Sequence, residues 1–238
     1  MRARGLLCAA AAAVLLIACG SAPVSPPAGA RRLAPSGASA SAGSKATDGT
    51  CTWKPVATGT GASIKDVGTP PATVRTASAA TMTLRTNLGV IEIAMTPRTA
   101  PCAVASFAYL AGKQFFDGSP CHRLVVTGLS VLQCGDPSGT GTGGPAYQYA
   151  EENLGGGTPY RRGVVAVART ADPGTSGSQF FINFADNLEL SADYTPFGTV
   201  SKGMDIVDQV AAGGVSTGAA DGPPKIAITL QTVTVTYA

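Results

Sequence analysis

The sequence predicts a mainly β fold, a closed antiparallel barrel with two helices. Three observations carry that expectation: many short runs in which apolar and polar side chains alternate, turn residues between them, and only two stretches with apolar residues at helical spacing. A length of 238 residues fits one ordinary domain plus a substantial tail better than two full domains. The formal charge is +3 and 13% of the residues are charged, so neither a nucleic-acid-binding stripe nor a funnel for acidic substrates is indicated.

The front of the chain reads as an address. Arg2 and Arg4 precede an apolar run over residues 6–17 that is too short to span a bilayer, and the pattern is that of a signal peptide, residues 1–18. Leu16-Ile17-Ala18-Cys19 resembles the bacterial lipoprotein box, which implies that Cys19 becomes the lipidated first residue of the mature protein. A plain secretory signal cut near Ala18 is the alternative. Stable anchoring normally takes more than one acyl chain, and a thioether diacylglycerol plus an amide-linked chain meets that requirement. Residues 19–50 are mostly Ala, Ser, Gly and Pro, too poor in large apolar side chains to offset the entropy of ordering, so a disordered tether is expected. Residues 51–80 form an N-terminal extension of intermediate character that holds the only tryptophan, Trp53, and the helix-breaking pair Pro70-Pro71.

Regular structure is expected from Thr81. Residues 82–86 alternate, Asn87-Leu88-Gly89 turns, and residues 90–95 return as the second strand of a hairpin. A helix follows, announced by Thr99 and Pro101, striped by Val104, Phe107, Ala108 and Ala111, and stopped at Gly112. That stripe is core packing. After a turn at Phe115-Phe116-Asp117-Gly118, residues 121–136, 164–168 and 180–184 carry strand-like runs, and Met204, Val207, Val210 and Ala211 mark a second helix ahead of Gly213-Gly214. The closing run, residues 226–237, switches the phase of its alternation near Gln231-Thr232, as a β-bulge demands.

Of six cysteines, Cys8 leaves with the signal and Cys19 goes to lipid. Cys51, Cys102, Cys121 and Cys134 remain, and outside the cytoplasm they permit three pairings. Cys121 opens one strand and Cys134 closes the next, so a hairpin would bring them within bridging distance and leave Cys51 to Cys102. Unpaired buried thiols are the alternative.

Two runs concentrate the polar groups: Cys121-His122-Arg123 through Gln133-Cys134-Gly135-Asp136, and Gly177-Ser178-Gln179-Phe180-Phe181-Ile182. As half-buried strands they could bring Arg123, Gln133, Gln179 and Phe181 to one surface. An arginine among valines and leucines is rarely buried without a partner, which leaves a structural ion pair or a guanidinium lining a cleft. The two runs, in this order, resemble the hallmarks of the cyclophilin family of peptidyl-prolyl isomerases, Phe-His-Arg-x-x-x-x-Phe-x-x-Gln-Gly-Gly-Asp and Asn-Gly-Ser-Gln-Phe-Phe-Ile. Residues 140–144 and Phe197-Gly198-x-Val200 agree with the same family, and the resemblance covers residues 81–238. It implies an eight-stranded antiparallel β-barrel capped by two α-helices, and an enzyme that turns Xaa-Pro bonds without a covalent intermediate or a cofactor. Arg123 and Gln133 become the implied catalytic groups. His122, Val131, Ala168, Gln179, Phe181, Leu190 and Tyr194 become the implied substrate-binding surroundings. By spacing alone Phe181 is equally a core residue.

The chain also departs from the family pattern. Two extra residues stand between Arg123 and Gln133, so the usual Phe-Met pair has no secure counterpart; Leu129, Val131 and Leu132 are the available apolar groups, and a looser aliphatic wall is expected. Glu189 falls where many cyclophilins carry Trp and Tyr194 where they carry His, which implies weak cyclosporin binding. His122 is the only histidine, so no metal site is expected, and a Cys121-His122 hydrolase fails because adjacent strand residues face opposite ways. The run Gly139-Thr140-Gly141-Thr142-Gly143-Gly144 lacks the Lys-Ser/Thr of a phosphate loop and reads as a surface loop beside the groove. Glu151-Glu152-Asn153 reads as a solvated turn.

The resulting expectation is a monomer anchored by lipid on the extracytoplasmic face of the cell membrane, some of it secreted. Its partners would be proline-containing peptides or unfolded exported proteins, with no nucleic acid. A catalytically weak proline-peptide binding module on the cell surface is the alternative.

Overall fold

The alternation in residues 80–95 is realised as a hairpin. In β1 (Ala80–Thr86) Ala80, Met82, Leu84 and Thr86 are buried, and in β2 (Gly89–Met95) Ile91, Ile93 and Met95 are buried, the period of two that a strand with one dry face requires. These coordinates belong to a computed structural model that describes residues 49–56, 63–76, 79–155 and 160–238. The expected signal peptide, Cys19 and all of the tether before Gly49 lie outside the described residues. Gly49–Thr50, assigned to the tether by composition, pairs antiparallel with Thr73–Val74.

Helix α1 (Pro101–Gly112) begins and ends where proline and glycine announce it, and buries Ala103, Val104, Phe107, Leu110 and Ala111. Thr99 does not cap it; the cap position is Ala100, which has no side chain to offer. The first N–H groups of a helix need partners, and here those of Cys102 and Ala103 donate to the Glu152 carboxylate at 2.9 and 2.8 Å. Glu152 is therefore a half-buried cap supplied from 49 or 50 residues away, and Glu151 accepts from the Gly174 N–H at 2.9 Å. The solvated turn read from these acidic residues is corrected: helix and loop donors draw both carboxylates inward.

The second helix and the other strands of the main sheet are β3 (Ser119–Pro120), β4 (Arg123–Val125), β5 (Val131–Cys134), β6 (Val164–Val167), β7 (Phe180–Asn183), β8 (Pro196–Lys202), α2 (Met204–Gly213), β9 (Asp221–Gly222) and β10 (Thr229–Tyr237). Ten strands join one antiparallel sheet in the order β9-β4-β5-β7-β6-β8-β2-β1-β10-β3. The mainly β, two-helix architecture holds. Set aside the two-residue end pieces β3 and β9 and eight strands remain; closure is approximate, because no pairing joins the two ends among the described residues. The pairing of β10 with β1 shifts between Leu230 and Thr232, the bulge signalled by the change of phase.

Phe107 stacks on Phe197 at 4.4 Å, with Phe116 and Phe180 against it at 5.8 and 5.6 Å, and this cluster fills the main core. Strand β7 is buried on both faces: Phe180 and Ile182 enter that core, while Phe181 enters a second, smaller cluster with Val125, Val131, Tyr160 and Ala166. The second cluster underlies the site.

Cys51 is bonded to Cys102 and Cys121 to Cys134, the pairing favoured from sequence. The first bond closes a separation of 51 residues and ties the extension to α1. Cross-linking a loop of this length removes unfolded-state entropy worth about 4 kcal/mol in the chain-entropy model. The double variant Cys51→Ser/Cys102→Ser is expected to lose about 2–4 kcal/mol, read as a lower urea midpoint at unchanged slope.

Candidate active site

Strand register sets one row of side chains across four strands: Arg123 on β4 opposes Gln133 on β5, Gln133 opposes Phe181 on β7, and Phe181 opposes Ala166 on β6. Residues directly opposed in antiparallel strands share a face. The two sequence runs thereby meet as their alternation predicts.

A directional chain of hydrogen bonds fixes the polar end of the row. Arg123 donates from Nε and Nη2 to the two carboxylate oxygens of Asp221 at 2.8 and 2.7 Å, and from Nη1 to Gln133 Oε1 at 3.1 Å. With its oxygen so engaged, Gln133 presents its amide nitrogen to Gln179 Oε1 at 2.8 Å. Gln179 in turn donates to the carbonyls of Gly141 and Gly143 at 3.0 and 2.9 Å. Each amide has one orientation that satisfies both neighbours. Both readings of Arg123 are realised together, since its ion pair with Asp221 is half-exposed and the same side chain borders a cleft. The Asp221 hydrogen bond raises the guanidinium pKa, and Arg123 in return holds the Asp221 carboxyl below its ordinary value.

The loop that receives Gln179 is built round Asp136. Its carboxylate accepts from the Ser138 N–H and hydroxyl at 2.8 and 2.7 Å and from the N–H groups of Gly141 and Gly143 at 2.7 and 3.0 Å. The glycine-rich run thus turns the N–H groups of Gly141 and Gly143 onto an internal carboxylate. Burial pushes the Asp136 carboxyl up, but the Ser138 hydroxyl and the three N–H donors outweigh it and hold it below the ordinary carboxylate range. A depressed folded value contributes stability that is present above the unfolded pKa and is lost as pH falls through the folded one. Asp136→Asn is therefore expected to lower the melting temperature at pH 7, because an amide NH2 would face N–H donors. The gap from wild type should narrow as pH falls through and below the ordinary carboxylate range, which calorimetry over an acid pH series checks.

The cleft is an apolar pocket of about 120 Å³, lined by Leu129, Val131, Ala168, Phe181, Leu190 and Tyr194 with Arg123 and Gln133 among the polar groups. Tyr194 meets the Phe181 ring edge-on at 5.4 Å. Leu129 and Val131 supply the aliphatic lining expected in place of the Phe-Met pair, whereas Leu132 is buried in the main core. Seven of the residues named from sequence, Arg123, Val131, Gln133, Ala168, Phe181, Leu190 and Tyr194, line this pocket. Gln179 lines an adjoining cavity instead.

His122 lines neither. Its ring lies beside Gly141, both ring nitrogens are buried, and burial lowers its pKa against the opposing pulls of Asp136 and the neighbouring Gln179 side chain. Sequence reasoning missed Asp221, which lies 98 residues from Arg123, and Arg169, which lines both cavities with its guanidinium over the Tyr194 ring at 5.4 Å. The one available signal for Asp221 was the demand of Arg123 for a counter-charge. Among the described residues no group of three or more His, Cys, Asp or Glu is placed to hold a metal ion.

This fold is shared by a solved cyclophilin-type peptidyl-prolyl cis-trans isomerase of Cryptosporidium parvum, crystallised in the presence of the dipeptide Ala-Pro, with a TM-score of 0.59 at 24% identity over 66% of this chain and 98% of that one. The family model for cyclophilin type peptidyl-prolyl cis-trans isomerase/CLD matches residues 81–235. The chain belongs to that family. Similar proteins include the probable peptidyl-prolyl cis-trans isomerase B of Mycobacterium leprae, 40% identical over 180 residues, which are 70% of this chain and 58% of that protein. Another is peptidyl-prolyl cis-trans isomerase B of Streptomyces anulatus, 41% identical over 150 residues, which are 55% of this chain and 82% of that protein. The chain spans little more than half the length of the mycobacterial B proteins, 58% and 52%.

Proposed function

We propose that the chain is a peptidyl-prolyl cis-trans isomerase acting on Xaa-Pro bonds of exported proteins outside the cytoplasm. The observation that carries this reading is the Arg123 guanidinium, held by Asp221 and Gln133 beside an apolar pocket that contains Phe181. Rotation about the bond is opposed by amide resonance, a barrier of about 18–20 kcal/mol, and breaks nothing covalent. A proline ring seated against Phe181, Leu129, Val131 and Tyr194 anchors one side of the bond. As the amide twists, its nitrogen becomes pyramidal and gains a lone pair that the planar ground state does not offer. A donor fixed in advance favours that twisted state selectively. A guanidinium has five N–H donors, and three are engaged here, which leaves two for substrate. Gln133 keeps one amide N–H for the peptide backbone.

Exchange NMR on an Ala-Pro peptide tests the reading: catalytic amounts of protein are expected to accelerate cis-trans exchange. Binding without acceleration would replace it with a recognition module for proline-containing peptides.

The address at the front of the chain and the two disulfides support anchoring by lipid at Cys19 on the outer face of the membrane. Mass spectrometry of the mature N-terminus is expected to find acyl chains on Cys19; an unacylated chain beginning elsewhere would remove the anchor.

A further inference from the structure

The N-terminal extension is fastened across one side of the groove. Cys51 is bonded to Cys102, and Trp53 stands edge-on to Tyr147 and Tyr149 at 5.4 and 5.5 Å. Lys54–Pro55 pairs antiparallel with Tyr147–Gln148, and Ile64–Lys65 pairs parallel with Gly144–Pro145. The Val56 N–H donates to the Ala146 carbonyl at 3.0 Å. These bonds hold Val56 and Ile64 on the lining of the larger cavity, about 320 Å³, together with Thr142, Pro145 and Gly177. That volume falls within the range of about 300–1,000 Å³ typical of ligand sites. The cavity shares Gln133, Ala168 and Arg169 with the smaller pocket, so the two adjoin along one groove.

We propose that Val56 and Ile64 are specificity-determining residues, forming an apolar wall of a second subsite that selects clients by a large apolar side chain two positions from the proline. The inference rests on the isomerase reading above. In an extended peptide, residues two apart face the same way, about 7 Å along the chain. A peptide whose proline enters the pocket at Phe181 therefore offers a second side chain to the neighbouring cavity. Val56, Ile64 and Pro145 give that side chain an apolar surface. The one cation on the lining among the described residues, Arg169, already has the Glu151 and Asp193 carboxylates at 4.0 and 3.8 Å and donates to the Asp193 carbonyl at 2.7 Å, so an acidic client residue gains little.

Two peptide series carry the test, Xaa-Ala-Pro-Phe and Ala-Pro-Ala-Xaa, each with Xaa as Gly or Leu. Wild type is expected to prefer Leu by about tenfold in kcat/KM, equivalent to about 1.4 kcal/mol, in one of the two series. Val56→Ala/Ile64→Ala should bring that ratio to within about twofold of one, and Ile64→Trp, which fills the cavity, should invert it. A ratio that neither variant changes, with both peptides falling in proportion, overturns the proposal. So does a wild type that shows no Leu preference in either series. A wild type that accelerates no peptide refutes the isomerase reading instead, and the same Leu-to-Gly ratio is then read from peptide dissociation constants by NMR titration.

Discussion

Arg123→Ala is expected to lower kcat/KM on an Ala-Pro peptide by about 10²–10³-fold with little change in stability. Removing one preorganised donor that serves only the transition state typically costs about 2.7–4 kcal/mol. The side chain is 41% exposed, its partner Asp221 is 49% exposed, and half-exposed ion pairs of this kind contribute little to folding. The loss should fall mainly on kcat, because the proline ring is held by Phe181, Leu129, Val131 and Tyr194, which the substitution leaves in place. Arg123→Lys should not restore the rate, since an ammonium cannot bind both oxygens of Asp221, reach Gln133 and still present a donor in a fixed plane. Exchange NMR over a range of peptide concentrations separates the two constants. A tenfold or smaller loss, or a loss confined to KM, would place Arg123 in binding alone.

The alternation of β1 and β2, the proline and glycine that bound α1, and the phase change in β10 were legible because each is a local consequence of backbone geometry. The row Arg123, Gln133, Phe181 was legible for a related reason: once its runs are strands, period two decides which residues share a face. Asp221 and Glu152 were not. Each acts on a partner far along the chain, Asp221 from a two-residue strand beside prolines and Glu152 from a loop, and no periodicity marks a carboxylate whose partner is set by tertiary packing. The ten-stranded count has the same origin, because β3 and β9 are too short to show any alternation. His122 lies behind the groove rather than on its lining: adjacent positions in an extended chain face apart, so it turns away from its neighbour Arg123, and its ring lies beside Gly141, a residue of the larger cavity.

Gly135→Ala should strongly destabilise the domain. Gly135 has φ +92, a region that costs an L residue about 1–2 kcal/mol. A methyl group there would also run into the Ser178 carbonyl oxygen and approach Gln179 Cα and Phe180 Cδ1 at 3.0 Å. Two of those three atoms are backbone and the third is a ring in the main core, so relief requires moving the start of β7 away from the end of β5. That movement breaks the hydrogen bond from the Ser178 hydroxyl to the Gly135 carbonyl, 2.7 Å, and shifts the Gln179 amide that orients Gln133. Together these effects should reach about 4 kcal/mol, in the tail of single-substitution effects, and lower the melting temperature by about 8–16 °C for a domain of this size. Gly118→Ala is the control: its φ of +78 carries the same backbone cost, but nothing lies within 4 Å of the added methyl. Calorimetry on both variants should therefore find Gly118→Ala down by only about 1–2 kcal/mol. If the two variants melt together, the close approach of β5 and β7 does not hold the groove in place, and the fixed orientation of Gln133 and Arg123 must come from Asp221 alone.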